Sequence, residues 1–201
     1  MKKITEKKER ALGTKLFIKA DRCNSPKCAM IRHPQRPGAH GAKHHSVSEY
    51  GTQLQEKQKL QIIYGLTNKQ TSNLFKHKKT KEAIVAKLEK RLDRTVFLLG
   101  IAKSPRIARQ LVSHGHILVN KRKVTIPSRE IKVGDTIEIR EESRKNKTFE
   151  DLENQLKQSA PPAWLKNDKD IFKGEMTAEP QIDLKSSPFD IDLVGEFYAR
   201  Q

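Results

Sequence analysis

A chain of 201 residues, 35% hydrophobic and 32% charged, is long enough for one medium domain or two small ones but thin in core material for two self-sufficient globules. Its formal net charge of +17 favours polyanionic partners, and aromatic residues at 5% are too few for a broad base-stacking platform. No apolar run approaches the ~18 residues of a membrane span, the charged start lacks the apolar stretch of a secretory signal, and two cysteines do not make a disulfide framework.

Residues 1–10 are mostly charged and read as extended, or ordered only by a partner. Leu12, Leu16, Phe17 and Ile18 are the first apolar anchors. Cys23 and Cys28 bracket Asn-Ser-Pro-Lys, a spacing able to form a metal knuckle. Two cysteines supply half a zinc site, and His33 and His40 complete it on spacing alone. Two thiols in a loop is the simpler reading, and no metal is expected. The run from His33 to His45 is rich in Pro, Gly and cations, so it reads as an extended basic loop. Its four histidines have no Ser, Cys or carboxylate at an informative spacing, which argues against catalysis.

Ser46 with Glu49 reads as a capping box opening a helix that Gly65 stops, and Thr67 with Gln70 as a second box for a short helix through Phe75. After the basic link at 76–79, Ile84, Leu88, Leu92 and Val96 stand four apart. They predict one helix from Thr80 into the central segment, ending at Gly100. Ser104 is an N-cap with Pro105 at the first helical position, and Gly115 supplies the left-handed stop. Between them Ile107, Ala108, Leu111 and Val112 form an apolar stripe. The period then changes to alternation: Ile117 and Val119, a tight turn at Asn120-Lys121-Arg122 into Val124 and Ile126, a second turn at Gly134-Asp135, and a strand over 136–139. Residues 150–159 read as an amphipathic helix, broken by Pro161-Pro162 before the only tryptophan, Trp164.

Charge follows this division. Residues 1–90 carry 21 Lys/Arg against 7 Asp/Glu, net +14; residues 91–147 carry 14 against 6, net +8; residues 148–201 carry 6 against 11, net −5. The expected fold is therefore α+β. A mostly helical N-terminal domain spans 1–90, and the acidic segment 151–201 has reason by charge to pack on it and not on RNA. A helix-turn-helix-like α/β module spans 91–150. Cations that the module's helices and strands do not bury would form one face suited to a phosphate backbone. A merely solvated basic surface is the bland alternative, weakened by the clustering on one helix and the adjoining turn.

The run from Arg91 to Arg140, RLDRTVFLLGIAKSPRIARQLVSHGHILVNKRKVTIPSREIKVGDTIEIR, closely resembles the RNA-binding module named after small-subunit ribosomal protein four. The module also occurs in some pseudouridine synthases and tyrosyl-tRNA synthetases and in a heat-shock RNA-binding protein. The segments CNSPKCAM at 23–30, RPGAHG at 36–41, SEYGTQLQEKQKL at 48–60 and IYGL at 63–66 resemble the helical N-terminal domain of the bacterial-type ribosomal protein four family, which those enzymes lack.

The resemblance implies a non-enzymatic small-subunit protein of the cytoplasmic ribosome that needs no cofactor. It implies primary binding of the five-prime domain of small-subunit ribosomal RNA, nucleating assembly of the subunit body. It also implies contact with ribosomal protein five and with messenger RNA near the entrance channel, and an effect on decoding accuracy. On the matching positions, RNA contacts are expected from Arg22, Arg32, Arg36, His40, Lys43, Tyr50, Lys57 and Lys59 in the first half. In the module they are expected from Arg91, Lys103, Ser104, Arg106, Arg109, Gln110, His114, His116, Lys121, Arg122 and Lys123. Trp164 is expected to pack between the lobes.

The chain departs from the family pattern at several points. Zinc-binding members carry an earlier C-x-x-C pair where this chain has charged residues around Glu6 to Glu9. Pro105 stands where consecutive arginines are usual, Lys43, His44 and His45 where arginine is common, and Lys121 where a glycine usually follows Asn120. Two rival readings fit the sequence less well. An RNA-modifying enzyme needs a catalytic domain that the basic or short flanks do not provide. A ribosome-rescue or RNA-chaperone factor would cofractionate with other particles.

Overall fold

The computed structural model describes residues 6–18, 20–43, 46–76, 80–144, 149, 156, 160–168, 173–181, 184 and 187–200. The chain forms two compact units, one of Met1–Ile84 with Asp183–Gln201, the other of Val85–Ile182. These bounds differ from the expected ones in the C-terminal third. Residues expected to return to the N-terminal helices are instead shared between the two units.

In the first unit, α1 (Glu6–Leu12) is helical where an extended segment was expected. The short helices α2 (Ala20–Cys23) and α3 (Ala29–Arg32) flank the cysteine loop. The long α4 (Glu49–Ile63) starts two residues later than predicted: Ser48, not Ser46, is the N-cap, its Oγ accepting from Gly51 N at 3.2 Å. Glu49 is already helical, so it cannot close a box with Ser46. The second box forms as expected. Thr67 N donates to Gln70 Oε1 at 3.0 Å and Gln70 N to Thr67 Oγ1 at 3.3 Å, opening α5 (Asn68–Lys76).

The C-terminal helix (Ile191–Ala199) lies along α4 and α5. Phe189, Ile191, Val194 and Phe197 are buried on this unit's side, as are Leu60, Ile63 and Tyr64. Polar seams fix the helix in place. Asp190 N donates to Glu56 Oε2 at 2.9 Å, Gln53 Nε2 to Glu196 Oε2 at 3.0 Å, and the Arg200 guanidinium to Glu49 Oε1 at 2.6 Å.

The boundary between units falls inside α6 (Lys81–Glu89). The continuous helix predicted from Thr80 is broken, because Arg91 adopts an extended ψ of 140° and caps a new helix, α7 (Leu92–Leu98). The cause lies far along the chain. Leu92 N and Asp93 N donate to Arg129 O and Pro127 O, and Ile131 N donates to Lys90 O, so a later loop captures the backbone here. Helix α8 (Pro105–Ser113) follows the sequence reading closely, with Ser104 Oγ accepting from Ile107 N and Gly115 at φ +76°.

Strands β1 (Ile117–Val119), β2 (Arg122–Lys123), β3 (Thr136–Ile139), β4 (Leu165–Asp168) and β5 (Lys173–Met176) form one antiparallel sheet in the order β2-β1-β3-β5-β4. Thr136 pairs with Glu175 and Ile137 with Gly174, so the hairpin at 165–176 belongs to this unit and not to the N-terminal helices. Gly174 permits it: a Cβ there would come within 2.4 Å of the Leu99 side chain.

The two helices and the sheet enclose a single apolar cluster running from Leu92 to Met176. Trp164 packs against that cluster. Ile126, predicted as a core strand position, is 61% exposed. The predicted helix over 150–159 lies outside the described residues except for Leu156, which is helical and buried.

Candidate nucleic-acid interface

In the Val85–Ile182 unit the cations stand on a hairpin and a helix. Asn120 at φ +50° and Lys121 at φ +63° form a two-residue turn of the type whose twist matches paired strands, with Val119 opposite Arg122. A lysine in that left-handed region costs about 1 kcal/mol relative to glycine. Asn120 holds the turn in place. Its Nδ2 donates to Asp135 Oδ1 at 2.7 Å, and its Oδ1 accepts from Thr136 N at 2.9 Å. Lys121, Arg122 and Lys123 are all exposed on this braced turn. The Lys123 stem crosses Gly115, where a Cβ would meet its Cε at 2.2 Å, so that glycine lets the lysine lie over the end of α8. Arg106, Gln110 and His114 are exposed on α8 and its cap, and Lys103 is exposed just before it.

Four module residues have other work. Arg91 departs from the expected phosphate contact: it is 7% exposed and doubly bonded to Asp93, at 3.0 and 2.6 Å. Arg109 reaches the same carboxylate at 3.3 Å and is only partly exposed. Ser104 is buried and engaged as the helix cap. The half-buried His116 has Nδ1 at 2.9 Å from Ser143 Oγ and its ring edge-on to Phe149. Burial lowers its pKa from the usual 6.5, assisted by the nearby charges of His114, Arg140 and Lys123, so it is mainly neutral near pH 7.

In the N-terminal unit Arg32, Arg36, His40 and Lys43 are exposed. Gly41 closes the loop that carries Arg36 and His40. A Cβ at Gly41 would stand 1.8 Å from Arg36 O, so no other residue allows that closure. Arg22 is exposed beside Glu6, at 3.4 Å. Tyr50 is 56% exposed with its ring 5.5 Å from Phe197. Two lysines depart from the expectation. Lys57 Nζ sits 4.4 Å above the Phe197 ring, with its pKa lowered by burial. Lys59 Nζ binds Glu56 at 2.6 Å with its side chain 14% exposed. The Phe197 ring over Lys57 comes from far along the chain and leaves no local signal, whereas Glu56 stands one helical turn before Lys59, a spacing legible in sequence as an i,i+3 pair. His44 and His45 lie outside the described residues.

Asn120 and Glu9 carry weight that sequence reasoning missed. Asn120 was readable as the first residue of a two-residue turn facing Gly134-Asp135. Glu9 gave no signal, being one acid in a charged run. It is buried, with Cys23 nearby, and Cys23 and Cys28 are both buried and neither is in a disulfide. Its Oε1 accepts backbone hydrogen bonds from Leu16 N and Ile18 N, and Oε2 lies 3.9 Å from Cys23 Sγ. With that carboxylate already engaged, and His33 and His40 exposed, these residues do not fit a zinc site. Among the described residues no group of three or more His, Cys, Asp and Glu is arranged to hold a metal.

Residues 90–137, the helix pair and hairpin just described, match the family described as the S4 domain, and residues 1–97 match the Ribosomal protein S4/S9 N-terminal domain. The Small ribosomal subunit protein uS4 of Syntrophomonas wolfei is 42% identical over 194 residues, covering 94% of this chain and 93% of that protein. The chain belongs to the uS4 family. The uS4 of Desulfovibrio desulfuricans is 41% identical over 208 residues, covering 100% of both chains, and that of Halothermothrix orenii is 41% identical over 193 residues. Family membership makes this protein a structural, non-enzymatic, RNA-binding constituent of the small ribosomal subunit in the cytoplasm. Among the described residues no helix is long and apolar enough to cross a membrane.

Proposed function

We propose that the chain is a primary binder of small-subunit ribosomal RNA that nucleates assembly of the subunit body by clamping phosphates of the five-prime domain. The observation that carries this is the braced turn. Lys121, Arg122 and Lys123 are exposed on a hairpin fixed by Asn120 and Asp135, with Lys123 lying over the end of the helix that carries the exposed Arg106 and is capped by the exposed His114. Cations preplaced on rigid backbone lose little freedom on binding, and backbone contacts suit recognition of RNA by shape. The loop closed by Gly41, with Arg36, His40 and Lys43, offers the N-terminal unit a second basic surface. Arg91, Lys57, Lys59, Ser104 and His116 serve the interface by holding its frame. The neighbours implied by the resemblance complete the reading: ribosomal protein five, and messenger RNA near the entrance channel, with an effect on decoding accuracy.

The test is a titration of the five-prime domain RNA against equal-length duplex RNA across a salt series. Selective binding is expected. Arg106→Ala with Arg122→Ala should weaken it and flatten the slope of log affinity against log salt by about 0.7–0.9 for each lost contact. Equal affinity for both RNAs would reduce the protein to a generic polycation.

A further inference from the structure

Phe17 was expected in the core and is not there. Its ring is 44% exposed, while Leu16 and Ile18 on either side are buried. Its backbone is in the left-handed region, φ +52°, which a bulky side chain rarely adopts and glycine adopts freely. Glu9 is the reason. In an extended strand, N–H groups two residues apart are separated by about 6.6 Å and cannot share one acceptor. Here Leu16 N and Ile18 N converge on Glu9 Oε1 at 2.9 and 3.2 Å. The curl at Phe17 makes that convergence possible. The buried carboxylate thus fixes the direction of an outward ring.

The ring's surroundings narrow what it meets. Lys7, Lys8 and Lys15 are exposed on the adjoining segments. Among the described residues no aromatic ring or cation is stacked on Phe17. Both of its chain neighbours are buried, so on this segment it is a single exposed flat ring between stretches that carry exposed cations. Cations that neutralise phosphates around one exposed π-face match an unpaired nucleotide, whose base stacks while its backbone is held.

We propose that Phe17 is a base-stacking residue that receives an unpaired nucleobase of the bound RNA, with Glu9 as its positioning residue. The inference rests on the RNA-binding reading above and adds to it a contact that electrostatics does not supply.

The test uses the full chain and the same five-prime domain RNA. Phe17→Gly removes the ring and the backbone strain together, so the fold is retained while the stack is lost. Affinity should fall about tenfold with the salt slope unchanged, because no phosphate contact is removed. Phe17→Trp should bind at least as tightly as the parent, and Phe17→Leu should remain weak. Glu9→Ala should lose affinity to a similar extent and raise amide exchange at Leu16 and Ile18. Parental affinity in Phe17→Gly, or full rescue by leucine, overturns the stacking assignment. So does unchanged RNA affinity combined with a loss seen only when other ribosomal proteins are present, which would mark a protein contact. A parent chain that fails to discriminate the ribosomal RNA from duplex sinks the underlying RNA-binding reading instead.

Discussion

The two compact units are held together by different means. The Val85–Ile182 unit closes on one apolar cluster, in which Leu92, Val96, Ile117 and Ile137 are fully buried. The N-terminal unit has apolar contacts too, but places carboxylates and amides at its seams: Glu9 under residues 16–18, Glu56 on Asp190, Gln53 on Glu196. An apolar cluster is non-directional and tolerates small adjustments. A buried carboxylate that accepts backbone N–H groups is directional, and leaving those donors unmatched is costly. The first arrangement suits a unit that presents cations from a rigid frame. The second suits a strongly cationic unit with little apolar material, in which seams between separate helices and loops have to be specified one at a time.

That contrast is most open to attack through paired core truncations. Ile137→Ala should lower the stability of the Val85–Ile182 unit by about 2–4 kcal/mol. It is readable as a shift in the urea midpoint of Trp164 fluorescence, since Trp164 packs on that unit's cluster. Phe197→Ala should cost the N-terminal unit about 3 kcal/mol, raise amide exchange across residues 49–63, and leave the Trp164 midpoint in place. Equal movement of the midpoint in both variants would mean that the units unfold as one and that the contrast is not energetic.

A smaller effect sharpens the role of the rigid frame. Lys121→Gly relieves the left-handed strain and should stabilise the fold by about 0.5–1 kcal/mol. It should nonetheless weaken RNA binding and reduce the salt slope by close to one phosphate. If affinity holds, Lys121 is a turn residue only.

The smallest effect is set by pH. The His116 pKa is lowered in the folded protein, so the unfolded chain takes up the proton first as pH falls. The associated stability is fully present above pH 6.5 and is lost as pH drops through the folded value. The Trp164 midpoint should therefore decline between pH 7 and 5, and less steeply in His116→Gln. A midpoint that declines equally in both proteins would remove His116 from the account.

How far the sequence disclosed all this depended on the range of the interaction. Helix α8 was legible from end to end because its cap, its proline and its stop glycine act on their immediate neighbours. The Thr67–Gln70 box was legible for the same reason. The break at Arg91 was not, because the backbone that captures it lies near Pro127, Arg129 and Ile131. Nor was the joining of residues 165–176 to β3, since strand partners distant in sequence leave no local mark. The candidate site divides along the same line. Residue type announces a cation at Lys57, Lys59 and Arg91; the ring over Lys57 comes from far along the chain and only the fold reveals it, whereas Glu56 and Asp93 lie within three residues of Lys59 and Arg91 and were open to a local reading. Phe17 misled for a related reason. An apolar residue between two buried ones reads as core unless the φ angle between them is known.

The way the C-terminal helix joins α4 also bears on synthesis. Asp190 meets Glu56 across a separation of 134 residues, and Arg200 meets Glu49 across 151. The intervening unit completes its own cluster once residue 176 is available. During translation it can therefore fold while the first 84 residues, which emerged earlier, still wait for their closing helix. The usual order, in which the earlier-emerging domain folds first, is reversed. In that interval a nascent segment carrying most of the net positive charge is incompletely folded in a cytosol rich in RNA, and the arrival of residues 183–200 sets the moment at which its packing is complete.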